Sequence, residues 1–147
     1  LMMNFKEGSL TANNAFVKGY IQNEFTELDF NKHTKNRELI LDEYTCFYYQ
    51  NTNFERSIIL PDLMEKAGTE VIISNYISDN IKPYALTVTT KSDRYMMHDN
   101  KDIVSAIIAG QSYVQLKAIP IKKENGKFLV RWAIMSYYNA VFTTPTS

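Results

Sequence analysis

One cysteine, Cys46, is all the chain carries, so it can form no internal disulfide and no thiolate zinc site. Cys46 stands in the aromatic run Cys46-Phe47-Tyr48-Tyr49, where a thiol reads as a small buried hydrophobe. A nucleophile there would need a base close by, and the two histidines, His33 and His98, carry no motif. The five glycines are scattered singly, which excludes a Gly-rich phosphate loop. His-Glu-x-x-His and Gly-x-Ser-x-Gly are both absent. Sixteen basic residues balance sixteen acidic ones, and a net charge of zero leaves no nucleic-acid footprint. The longest basic feature, Lys122-Lys123, is followed at once by Glu124 and reads as a solvated turn. No apolar run approaches the ~20 residues needed to span a bilayer, and no signal peptide is visible. The start Leu1-Met2-Met3-Asn4 reads as the interior of a longer protein, with room for a membrane segment upstream.

What is present is an ordinary globular composition, 45% hydrophobic and 22% charged over 147 residues. That length suits one domain, and it can bury about two-thirds of its unfolded surface without disulfides or metal. We divide the chain into a leader or remnant over 1–9, one domain over 10–142 and a tail over 143–147.

Helical spacing dominates the first half. Leu10, Phe16, Val17, Tyr20, Ile21, Phe25 and Leu28 fall on one stripe and predict a helix over 10–28 with Ser9 as its cap. A second helix is predicted from Thr34 through Leu39, Ile40, Tyr44 and Phe47, although Tyr48 and Tyr49 also read as strand. A third, short helix is predicted over 61–67, with Pro61 at its start and Gly68 at its end.

After Gly68 the period changes to two. Strands are predicted over 70–77 and over 84–89, the latter with Tyr84, Leu86 and Val88 on one face. Asp99-Asn100 reads as a cap for a short helix over 102–109, with a strand as the alternative for that stretch. Val114, Leu116 and Ala118 alternate toward a turn at Asn125-Gly126. The returning strand sets Phe128, Val130, Trp132, Ile134, Ser136, Tyr138, Ala140 and Phe142 on one face. That is too long for an average strand and implies a bulge or bend. Pro120 implies an edge or a bulge in the partner strand. Helices followed by antiparallel strands predict an α+β domain, with N-terminal helices packed on a curved antiparallel sheet.

Few residues carry chemistry. The carboxylate pairs Asp42-Glu43 and Asp99 with Asp102 read as solvated faces rather than acid–base pairs. His98 beside Asp99 reads as a loop histidine. The candidate partner-binding residues are Arg131, Tyr137 and Tyr138, on a strand whose two tyrosines point to opposite faces.

Phe16-Val17-x-x-Tyr20 in the opening helix, the short helices before residue 68, and the closing run from Phe128 to Tyr138 together resemble a known architecture, the nuclear-transport-factor-two-like cone. Within it, the chain is similar to the extracytoplasmic domain of the VirB-eight-type inner-membrane component of type IV secretion and conjugation machines. The resemblance spans about residues 10–142. Many Gram-negative members follow the final strand with Asn-Pro-Leu-Gly-Phe. Here Asn139-Ala140-Val141-Phe142-Thr143-Thr144-Pro145 stands instead, which fits a divergent or Gram-positive member better. The resemblance implies a non-enzymatic scaffold without cofactor, tethered outside the cell membrane by an upstream helix. Its implied partners are other transfer-complex proteins and a second copy of itself. The alternative expectation is a small-molecule binder or enzyme on the same cone. That reading requires a pocket between the first helix and the sheet with convergent polar groups such as His98 or Asp99.

Overall fold

The computed structural model describes residues 12–20, 22, 25–29, 37–38, 47–51, 56–61, 67–75, 85–91 and 96–145. These residues contain ten strands and no helix. The strands are β1 (Phe25–Asp29), β2 (Arg37–Glu38), β3 (Phe47–Asn51), β4 (Arg56–Leu60), β5 (Glu70–Asn75), β6 (Leu86–Thr90), β7 (Met96–His98), β8 (Lys101–Ile103), β9 (Ser105–Glu124) and β10 (Lys127–Thr143).

The chain alternates between two parallel stacks. In one, β1 pairs with β3 and β3 with β5, so Phe25, Phe47 and Ile72 share a register line. In the other, β2 pairs with β4 and β4 with β6, aligning Arg37, Ile58 and Val88. β9 joins the stacks. Its Ser105–Ile108 portion pairs antiparallel with β6, and its Ser112–Lys117 portion pairs antiparallel with β5. β10 returns along the other edge of β9, and beyond it lie β7 and β8.

The core forms where the two stacks meet β9 and β10. Ile58 and Leu60 of β4, Val71 and Ile73 of β5, and Leu86 and Val88 of β6 meet Ile108, Val114 and Leu116 of β9 and Trp132 of β10 in one buried cluster. The Trp132 indole donates to the carbonyl of Pro61, 3.0 Å away, tying the end of β4 to β10. Burial alternates along β5 and β6, as a strand with one apolar face requires.

The helix-on-sheet architecture is therefore corrected to a mostly-β one, and the antiparallel sheet to a mixed one. Over 10–28, residues 12–20 have no regular structure and Phe25–Asp29 is a strand. Among the described side chains of that stripe Phe16 is 91% exposed and Tyr20 85%, and Gly19 stands at φ 128. A helical stripe is stable chiefly through the surface it buries, and Phe16, Val17 and Tyr20 bury little. The second predicted helix meets β2 and the start of β3; its middle lies outside the described residues. Most of the third also lies outside them, and Gly68 takes part in a turn at φ 94. The short helix over 102–109 is replaced by β8 and the start of β9, where the β-branched residues favour a strand. Asp99 and Asn100, both at positive φ between the paired residues His98 and Lys101, form a two-residue hairpin turn rather than a helix cap.

The closing hairpin follows its sequence more closely. Asn125 and Gly126, at φ 49 and 79, make the turn. A register shift at Val130↔Pro120 leaves Ile121 as the extra residue, next to the proline that cannot donate to the ladder. No helix among the described residues is long and apolar enough to cross a membrane.

Candidate functional site

β10 is the element that gathers exposed apolar side chains, and its bulges decide which ones. The partners run Ile134↔Leu116 and then Ser136↔Gln115, so Met135 is an extra residue that rotates the strand. Val130, Trp132 and Ile134 face the core before it. Ser136 and Tyr138 then lie on the opposite, outer face, while Tyr137 takes the core side opposite Val114. A second shift between Tyr138 and Ala140, with Asn139 at φ 51, returns Ala140 and Phe142 to the core.

The result is a strip of uncovered apolar surface. Tyr138 is 63% exposed and lies opposite Tyr113 in the ladder. Tyr113 shares a 3.0 Å hydrogen bond between its phenol and the Ser136 hydroxyl, which fixes the ring on the outer face. Val141 and Met135 are also exposed.

Arg131, Tyr137 and Tyr138 do not converge. The Arg131 guanidinium donates to Asp102 Oδ1 at 2.6 Å and to the Met96 carbonyl at 3.2 Å, holding β10 against the β7–β8 hairpin. Its fork is engaged within the chain. Tyr137 sits at the margin of the core in a three-ring cluster. His98 meets it edge-on at 5.4 Å, and Phe142 packs against both rings at 4.9 and 4.5 Å. Tyr138 alone of the three stands free on the outer face. Met135, Tyr113 and Val141 are not among the candidates from sequence; Tyr113 is exposed because it alternates with the buried Val114 and Leu116 on β9, whereas the bulge at Met135 turns Tyr138 outward, and no residue pattern reveals where the strand rotates.

The remaining candidates are dispersed. His98 belongs to the aromatic cluster and Asp99 to the hairpin turn, while Asp102 holds Arg131. Lys122 pairs with Glu124 at 2.9 Å, and Lys123 lies 5.5 Å from the centre of the Phe128 ring. Cys46, His33, Asp42 and Glu43 carry no described side chains. A shallow cleft of about 270 Å³ opens at the hairpin tip, lined by Ala67, Gly126, Lys127, Phe128 and Val130. Lys127 is the one charged side chain in that lining, among the described residues. No group of three or more metal-ligating side chains is present among the described residues.

No protein-family model matches the chain, and no curated protein or solved structure shows significant similarity to it.

Proposed function

We propose that this chain is a non-enzymatic scaffold domain that acts through protein–protein contacts, with the outer face around Tyr138 as its contact surface. The observation that carries the reading is the exposed strip of Tyr113, Met135, Tyr138 and Val141 on β9 and β10. Exposed apolar side chains gathered on one pair of strands are a mark of interaction sites, and tyrosine is among the residues enriched in their energetic centres. The strip is backed by paired strands, so a partner would meet a rigid surface and lose little freedom in ordering it. A ligand-binding reading has less support, because the hairpin-tip cleft carries one charged group in its described lining and His98 lies elsewhere.

The narrower proposal, from the resemblance of the hairpin run Phe128 to Tyr138, is that the partners belong to a conjugative transfer or type IV secretion complex. In that setting the domain would stand outside the cell membrane, tethered by an upstream helix. The helical half of that architecture is not found among the described residues, so this narrower proposal rests on the hairpin sequence.

A photo-cross-linking residue placed at Tyr138 in living host cells tests the contact surface. The expected result is a discrete protein cross-link from Tyr138 and none from the exposed control position Lys122. Absence of any product at Tyr138 overturns the reading. Deleting the gene and measuring donor-to-recipient DNA transfer tests the narrower proposal. Transfer is expected to fall sharply and to return with the tethered protein, and unchanged transfer rejects it.

A further inference from the structure

Met135 stands apart from the other described methionines. Its neighbours Ile134 and Ser136 pair with Leu116 and Gln115, so Met135 is the extra residue of the bulge and has no register partner on β9. Its side chain is 57% exposed, whereas Met96 is fully buried in the core and Met97 is half-buried. Met2, Met3 and Met64 lie outside the described residues. A thioether is oxidised to a sulfoxide where an oxidant can reach its sulfur. A close-packed interior leaves no room for the oxidant, so burial protects Met96 while the bulge delivers Met135 to solvent.

We infer that Met135 is an oxidation site for peroxides, and that its sulfoxide weakens the contact made by the strip of Tyr113, Met135, Tyr138 and Val141. The second half rests on the protein-contact reading of that strip. In the step itself a sulfur lone pair attacks one oxygen of hydrogen peroxide. The O–O bond breaks as the S–O bond forms. Sulfur gives up two electrons and the peroxide accepts them. The departing hydroxide takes the proton released by the transferred oxygen and leaves as water. The product replaces a flexible apolar side chain with a polar one that carries a strong hydrogen-bond acceptor. A partner that fits the unoxidised strip would cover that oxygen without a donor placed for it, and a buried acceptor left unpaired weakens binding. In the free chain the same oxygen stays hydrated because Met135 is exposed, so the fold tolerates the change. Methionine sulfoxide is reduced enzymatically, and an exposed site is open to the reductase, so the change is reversible.

Peptide mapping by mass spectrometry, after hydrogen peroxide treatment of the full chain, tests the site. Met135 is expected to gain one oxygen about ten times faster than Met96 or more, with the urea midpoint unchanged and the mass restored by methionine sulfoxide reductase. Oxidation of Met135 no faster than that of Met96, or a midpoint that falls in step with it, overturns the inference. A photo-cross-linking residue at Tyr138 in host cells, with and without peroxide, tests the consequence. The cross-link is expected to fall about tenfold on treatment, in line with one unpaired buried acceptor. In a Met135→Leu chain, whatever its untreated yield, peroxide should change nothing, because no sulfur is left at that position. A cross-link indifferent to oxidised Met135, or lost equally from the Met135→Leu chain, overturns the inference and leaves the contact surface standing. If Tyr138 cross-links to nothing before peroxide is added, the contact reading itself fails and the regulation falls with it.

Discussion

The side-chain amide of Asn75 donates a hydrogen bond to the carbonyl of Ile108, 3.0 Å away, at the point where β9 passes from β6 to β5. Asn75 is fully buried. A strand crossing between two stacks breaks its ladder, and a buried backbone group without a partner costs about 1–3 kcal/mol. Asn75 supplies a partner from the adjacent strand. Asn75→Leu should therefore destabilise the protein by about 1–3 kcal/mol even though leucine is the more apolar residue. Urea denaturation checks it. The midpoint should fall with an unchanged slope, and an unaltered midpoint would mean that the bond contributes nothing net.

Trp132 links burial to a hydrogen bond with Pro61 and is the chain's one tryptophan. Trp132→Phe keeps most of the apolar contact and removes the donor, so about 1 kcal/mol should be lost. Trp132→Ala also opens a cavity and should cost about 3–5 kcal/mol. Thermal unfolding followed by circular dichroism distinguishes the two, since fluorescence disappears with the ring.

Arg131 holds the β7–β8 hairpin to β10 through Asp102 and the Met96 carbonyl. Asp102 is half exposed, so the ion pair itself is worth at most about 1 kcal/mol. Asp102→Asn should cost no more than that and should lose its effect in high salt. Arg131→Ala should cost more, about 1–2 kcal/mol, because the less exposed guanidinium also satisfies the Met96 carbonyl. Equal losses from the two variants would show that the carbonyl contact adds nothing.

The closing hairpin was legible because its signals are local. Asn125-Gly126 specifies a turn, Pro120 marks the bulge beside it, and the length of the apolar run to Phe142 demands an irregularity. Where the strand rotates was not legible. The placement of Met135 outside the ladder depends on pairing with Leu116 and Gln115, which nothing in the sequence of β10 specifies, and so Tyr138 moved from the predicted core face to the outer one. The N-terminal half was misread for a related reason. Phe16, Val17 and Tyr20 have helical spacing, but they are exposed, and spacing carries information only when a face is buried. Parallel pairing of Phe25, Phe47 and Ile72 brings together residues far apart in the chain, with no turn between adjacent strands to announce it.

Two residues stand in the left-handed region where the β9–β10 ladder is irregular, Gln111 at φ 59 and Asn139 at φ 51. They sit in the same irregular part of the β9–β10 ladder, between the pairs Tyr113↔Tyr138 and Ile108↔Ala140. Asparagine tolerates this conformation better than glutamine does, and glycine tolerates it without a steric penalty. Gln111→Gly should thus relieve strain and leave stability unchanged or raised by up to about 1 kcal/mol, the gain limited by the greater freedom glycine has when unfolded. Gln111→Val should cost more than 1 kcal/mol, roughly, because a β-branched side chain is a poor occupant of positive φ. Asn139→Gly should behave like Gln111→Gly but with a smaller gain, since asparagine starts less strained. The double glycine variant distinguishes an irregularity held by these residues from one imposed by the core. If Trp132 fluorescence and stability stay native, core packing holds this part of the ladder in place. If the midpoint falls by more than the glycine entropy of about 1 kcal/mol per site, the side chains at 111 and 139 are themselves what stiffen the turn.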